Sequence, residues 1–201
     1  MKLFYSPGAC SLSPHIVLNE LDLPYTTEKV DLKTHTTASG ADFYTINPKG
    51  YVPALQLDNG EVLTEGPAII QYLAEQKPQA NLLPPAGSLE RARVQEWLNF
   101  IGTEVHKTLS ALFNPAISPE AKSKTLETFG KHLGFVAKAL EGKDYLTGKT
   151  FSVADAYLFT IVNWAPMLKI DLSPWPAVVQ FQQRVASRPA VQKTLKAEGL
   201  I

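Results

Sequence analysis

The chain has 201 residues, 45% of them hydrophobic, and 19 Lys plus Arg balance 19 Asp plus Glu. That apolar content can bury one large core or two small ones without metals or disulfides, and the balanced charge lacks the basic footprint of a nucleic-acid binder. No apolar run approaches the roughly 18 residues of a membrane helix, no signal segment is evident, and the single cysteine, Cys10, suits a reducing compartment; a cytoplasmic protein with no nucleic-acid or membrane partner is expected.

The first 76 residues alternate between strand-like and helix-like patterns. Lys2 to Tyr5 reads as a strand and Ser6-Pro7-Gly8-Ala9 as a turn. Cys10-Ser11-Leu12-Ser13-Pro14 then opens a helix running to Leu21. This places Cys10 at a helix N-terminus, where unsatisfied N–H groups and the dipole favour a thiolate. Tyr25 to Val30 is a second strand, followed by a polar stretch over 33–49 that contains His35 and ends in Asn47-Pro48-Lys49-Gly50. Val52 to Leu57 and Glu61 to Leu63 form a hairpin around Asp58-Asn59-Gly60, and a helix over 67–75 starts at Pro67. The order predicts an α/β domain over 1–76 with a mixed four-stranded sheet. Residues 77–88, rich in Pro and Gly, read as a linker. Residues 89–201 read as all helix, with segments near 89–112, 119–140, 152–165, 176–186 and 190–197.

Several residues could carry chemistry. On a regular wheel, Val94, Leu98, Ile101, Val105, Leu109 and Leu112 fall on one stripe, and Asn99, Thr103, His106 and Ser110 on another. The polar stripe is either a solvated face or the wall of a cleft, and its lack of Lys and Glu favours the cleft. Trp97 and Phe100 fall on neither and suit a domain or subunit interface. Val52-Pro53 holds extended backbone, either as a plain strand start or as an edge that pairs with a peptide-like ligand. Glu65-Gly66-Pro67 opens a helix whose first N–H groups an anion can approach past Gly66. His35 could bind an anion, while His15 reads as a helix packing or surface residue and His132 as a surface residue of its helix. No metal-ligand spacing, nucleophile elbow or phosphate loop is present, so no metal is expected. Ser152-Val153-Ala154-Asp155 reads as a structural capping box, with Phe151 packing just outside it.

Taken together, these residues resemble the bacterial beta-class glutathione transferases. The resemblance is carried by the segments 2–11, 47–55, 63–69, 96–99 with His106, and 151–157, in that order along nearly the whole chain. It implies a thioredoxin-like N-terminal domain, an all-α C-terminal domain, and a homodimer binding one glutathione per subunit. It places Cys10 beside the glutathione sulfur and Tyr5 in the pocket. Val52, ahead of a cis Pro53, would pair with the tripeptide backbone, and Glu65 with Gly66 would hold the γ-glutamyl end. Asn99, Thr103 and His106 would reach in from the helical domain. His35 stands where a lysine often meets the glycyl carboxylate, so that contact would be weaker or pH dependent.

The implied activity is attack of the glutathione thiolate on a small hydrophobic electrophile, with Cys10 and His106 as candidate catalytic groups. Thiol–disulfide exchange through Cys10 is a further expectation. Two alternatives stand beside it: a glutathione-dependent reductase, peroxidase or dehalogenase, and a non-catalytic binding protein of the same fold.

Overall fold

A computed structural model describes all 201 residues. The chain forms two compact units, Met1–Asn81 together with Arg188–Ile201, and Leu82–Ser187.

The first unit is built on a mixed sheet of β1 (Lys2–Tyr5), β2 (Thr26–Asp31), β3 (Thr36–Thr37), β4 (Ala54–Gln56) and β5 (Val62–Thr64), in the order β3-β2-β1-β4-β5. β1 runs parallel to β2 and antiparallel to β4, and β4 pairs with β5 through the predicted hairpin. The two-residue β3 extends the expected four strands to five, pairing Val30 with Thr37. Side chains alternate across a strand. Phe4 therefore joins Val30, Phe43, Val52 and Ala54 in one cluster, while Leu3 and Leu55, paired across β1 and β4, are buried on the opposite face. Phe43 reaches that cluster from a single 3-10 turn, Phe43–Thr45, capped by Asp42, whose carboxylate accepts the Tyr44 N–H at 2.9 Å.

Helices α1 (Leu12–Glu20) and α2 (Gly66–Gln76) pack together in this unit. α1 is buried at every position from Leu12 to Asn19, not on one face. The cause is a helix from the far end of the chain. Pro189–Ala197, the last helix in chain order, packs against α1, and Arg188 grips Glu20 through two hydrogen bonds of 2.6 and 2.8 Å. The final residues thus belong to the first unit and not to the helical one in which the sequence reading placed them. The expected linker over 77–88 is also divided: Leu82 and Leu83 are buried, and the Leu82 carbonyl accepts the Val153 N–H at 3.0 Å.

The second unit contains α3 (Leu89–Phe100), a π-helical segment (Ile101–His106), α4 (Lys107–Ser110), α5 (Pro119–Leu140), α6 (Val153–Val162) and α7 (Pro176–Ala186). Ser88 and Ser118 cap α3 and α5, their hydroxyls accepting the N–H groups of Arg91 and Ala121. All ten residues of α6 are buried. It is the central helix of this unit, and α3 and α7 pack against it. The C-terminal helix named above is α8.

Candidate active site

In the first unit, Cys10 lies in the turn before α1, and the helix itself begins at Leu12. The Ser11 hydroxyl fixes that turn, accepting the Ser6 N–H at 3.1 Å and donating to the Ser6 carbonyl at 3.2 Å. The Cys10 thiol donates to the Val52 carbonyl at 3.1 Å. Val52 precedes Pro53 through a cis peptide bond, and its own N–H makes no backbone hydrogen bond. The carbonyl of Val52 thus serves the thiol, while its N–H is left without a backbone partner.

Glu65 stands just before α2 at φ 69° and ψ 107°, a region that a non-glycine residue occupies at a cost of about 1–3 kcal/mol. Its carboxylate accepts from Lys49 Nζ at 2.6 Å, and the same ammonium reaches Thr64 Oγ1 at 3.1 Å. Lys49 was legible in the sequence only as part of a turn. Gly66 is the first residue of α2. A Cβ there would stand 3.7 Å from Pro53 and 4.0 Å from Ser13, an ordinary contact with the interior. Gly50, by contrast, is required: at φ +70° it passes so close to Tyr44 that a Cβ would lie 2.7 Å from the ring. His35, at φ 52°, stacks on Tyr44 with ring centroids 4.5 Å apart, and its Nδ1 is buried with no hydrogen-bond partner.

Tyr5, half-buried at the end of β1, packs edge-on against His15 at 5.8 Å. Burial raises the Tyr5 phenol above its ordinary value, and the negative charge of Glu198 adds to the effect. His15 is no surface residue. It is buried, with Nδ1 2.7 Å from Glu198 Oε1 and Nε2 3.1 Å from the Tyr25 hydroxyl. The Tyr25 hydroxyl donates to Asn19, whose amide donates to Thr194. The second Glu198 oxygen accepts the Gly8 N–H at 2.9 Å. The turn that carries Cys10 is thereby tied to the end of the chain. Glu198 escaped the sequence reading because 183 positions separate it from His15 and neither residue sits in a recognisable motif.

In the second unit the long helix over 89–112 is not regular. Residues 101–106 form a π segment, with more residues per turn than the assumed wheel. Val94, Leu98, Ile101, Val105 and Leu109 remain buried, but Leu112, on a following 3-10 turn, is only half-buried. Asn99 and Thr103 are exposed, and the Thr103 hydroxyl donates to the Asn99 carbonyl at 3.0 Å. His106 is half-buried. Its Nδ1 lies 2.6 Å from the Tyr157 hydroxyl of α6, and Trp164 sits edge-on to its ring at 5.1 Å. Burial pushes the His106 imidazole down to about 4, helped by the charge of Lys107. Tyr157 was visible only as the last residue of the capping-box segment. Trp97, Phe100 and Phe135 form an aromatic cluster with centroids 5.0–5.9 Å apart, and Phe135 is exposed. His132 joins it against Phe100 at 5.8 Å and is therefore a packing residue, not a surface one.

Ser152 and Asp155 form the reciprocal box at the start of α6. The Asp155 carboxylate accepts the Ser152 N–H at 2.8 Å, the Ser152 hydroxyl at 2.7 Å, and the Leu146 N–H at 2.8 Å. Phe151 packs edge-on against Tyr145 at 5.5 Å. Burial raises the Asp155 carboxyl to about 6, outweighing the hydrogen bonds that favour its charge.

No group of three or more His, Cys, Asp or Glu side chains is placed to hold a metal ion, and no helix is long and apolar enough to cross a membrane.

Comparison with known proteins bears on what this arrangement is for. Residues 8–76 match the family model described as Glutathione S-transferase, N-terminal domain, and residues 100–189 the one described as Glutathione S-transferase, C-terminal domain. The chain is 46% identical over 200 residues to Glutathione S-transferase GstA of Escherichia coli O157:H7, covering the whole of both. Two solved structures, a sphingomonad glutathione S-transferase complexed with glutathione and a bacterial beta class glutathione S-transferase of Sphingomonas chungbukensis, are each 49% identical with a TM-score of 0.96 and full coverage of both chains. Sharing a thioredoxin-like sheet unit, an all-α unit and full-length similarity with these relatives, the chain belongs to the glutathione S-transferase family, in its bacterial beta class.

Proposed function

We propose that the protein conjugates glutathione to small hydrophobic electrophiles, working as a homodimer in the cytoplasm. The observation that carries this reading is the Val52 peptide. Its N–H has no backbone partner, and its carbonyl holds the Cys10 thiol, so a tripeptide can pair as one more short strand with its sulfur near Cys10. The left-handed backbone at Glu65 and the Lys49 ammonium beside it suit the γ-glutamyl end, which carries both an ammonium and a carboxylate. Tyr5, His35, Pro53 and Gly66 complete the glutathione contacts proposed for the first unit. The exposed Phe135 with Trp97 and Phe100 supports a subunit interface.

The glutathione thiol is mostly protonated near neutrality, and attack needs the thiolate. A hydrogen-bond donor aimed at the sulfur lowers the cost of losing that proton and holds the nucleophile for in-line approach. The sulfur then bonds to the electrophilic carbon as the leaving group departs with its electron pair. The test is the ultraviolet thiolate absorbance of bound glutathione against pH, with product assays on several electrophiles. A depressed thiol pKa with conjugate formed is expected; no depression and no product from any electrophile would leave only a binding protein.

A second activity is favoured by Cys10 itself, the one thiol of the chain. As a thiolate it attacks a glutathionylated disulfide, forming a Cys10–glutathione bond as the old S–S bond breaks and releases the substrate thiolate. A glutathione thiolate then attacks this mixed disulfide, freeing Cys10 and leaving glutathione disulfide. Mass spectrometry after exposure to glutathione disulfide reads the intermediate directly, and its absence would remove this activity.

A further inference from the structure

We infer that a cleft beside α8, apart from the residues assigned to glutathione, binds a small planar organic anion of the aromatic carboxylate class, with Lys193 recognising its charge.

The cleft lies wholly within the first unit, between the segment that joins α1 to β2 and one side of α8. Its volume is about 560 Å³, inside the range of about 300–1,000 Å³ common to small-molecule sites. The rings of His15 and Tyr25 line it, Leu23, Pro24 and Ala197 add apolar surface, and Lys193 brings a cation.

The hydrogen bonds around the two rings leave a ligand few polar groups to meet. The Thr194 hydroxyl donates to the Ala190 carbonyl, so it accepts from the Asn19 amide. The Asn19 carboxamide oxygen in turn accepts from the Tyr25 hydroxyl. With its one proton given to Asn19, the Tyr25 oxygen accepts from His15 Nε2, 3.1 Å away. His15 Nδ1 is engaged by Glu198 at 2.7 Å, and the other oxygen of that buried carboxylate holds the Gly8 N–H. Neither the phenol nor the imidazole has a proton left for a ligand, and both rings serve as flat apolar surface.

Lys193 stands in the opposite position. It is exposed and makes no hydrogen bond or ion pair, and no other lysine, arginine or carboxylate lines the cleft. An aromatic ring can lie against the Tyr25 and His15 rings and over Leu23 and Pro24. Its carboxylate then turns to the Lys193 ammonium, which donates a charge-assisted hydrogen bond. A cationic ligand would be repelled there, and a neutral one would leave the ammonium unused.

Proton–nitrogen spectra of the full chain, titrated with benzoate and separately with neutral benzamide, test the inference. Saturable shifts are expected at the Tyr25, Thr26 and Lys193 amides and at the His15 ring. Benzoate should bind about fivefold more tightly than benzamide, the scale of a partly exposed ion pair. Lys193→Glu, a change at an exposed position, should abolish that preference and leave benzamide binding as it was. No saturable shift at these positions, equal affinity for acid and amide, or a preference that survives in Lys193→Glu would each overturn the inference. None of the residues assigned to glutathione lines the cleft. The same shifts are therefore expected with and without glutathione, and failure of the conjugation reading would leave them unchanged.

Discussion

The Cys10 thiol donates to the Val52 carbonyl at 3.1 Å, and a sulfur that donates is holding its proton. In this arrangement the thiol is engaged as a donor, and it can act as a nucleophile only when that bond is released. Cys10→Ala should therefore abolish the mixed disulfide with glutathione while slowing conjugation less than about tenfold, or about 1.4 kcal/mol of barrier. Its cost in stability should stay near 1 kcal/mol or below, the value of one hydrogen bond. Parallel assays of exchange and conjugation decide the matter, and equal loss of both would contradict the division of labour.

At the start of α6, Asp155 accepts from two buried N–H groups and one hydroxyl. Asp155→Ala leaves the Leu146 and Ser152 N–H groups buried without that acceptor, at about 1–3 kcal/mol each, whereas Ser152→Ala should cost only about 1 kcal/mol. The pH dependence has a definite sign. The folded carboxyl titrates near about 6, above its ordinary 3.8, so the folded state holds the proton more tightly. The resulting stability is full below about pH 4 and is lost as pH rises through 6. Urea melts across pH 4–7 should show this slope, and Asp155→Asn, which cannot ionise, should lack it; equal slopes in the two proteins would refute the assignment.

Glu198 ties α8 to His15 and to the Gly8 N–H. Removing one partner of a buried ionic or hydrogen-bonded pair typically costs about 3–5 kcal/mol. Glu198→Ala should destabilise the protein by that order in denaturant melts and speed hydrogen exchange at Gly8 and along α8. Glu198→Gln, which keeps an oxygen, should lose less. A neutral Glu198→Ala would mean that the end of the chain does not hold the Cys10 turn.

What the sequence could and could not disclose follows range. The capping box was legible because Ser152 and Asp155 are three residues apart and satisfy each other, and the hairpin because Asn59-Gly60 dictates its own turn. The Val52-Pro53 segment was legible as extended backbone, but its pairing with Cys10 lies 42 positions away. Neither the return of α8 to the first unit nor the His15–Glu198 contact has a local signal, since a short amphipathic helix does not state which core it will join. The π segment was invisible for another reason. The apolar spacing over 94–109 fits a regular helix as well as the irregular one, so the wheel set His106 on a polar stripe with Asn99 and Thr103 but gave no hint of its Tyr157 and Trp164 neighbours.

Burial, with the Lys107 charge, governs how His106 responds to acid. In the unfolded chain the imidazole titrates near 6.5, and in the fold near about 4, chiefly through burial and then through the Lys107 charge. Between these values the unfolded state binds a proton that the folded state refuses, so stability falls as pH drops through that window and is unaffected by His106 above it. Near neutrality His106 is already fully neutral. The pH profile of conjugation should therefore contain no ionisation of His106 near 6.5, and His106→Gln should lower kcat/KM without changing the shape of the profile between pH 6 and 8. A proton NMR titration of the His106 ring measures this directly: its resonances should stay still until the pH approaches 4–5. A midpoint near 6.5 would show that burial does not control the group, and the profile of His106→Gln would then have to lose a limb that the wild type possesses.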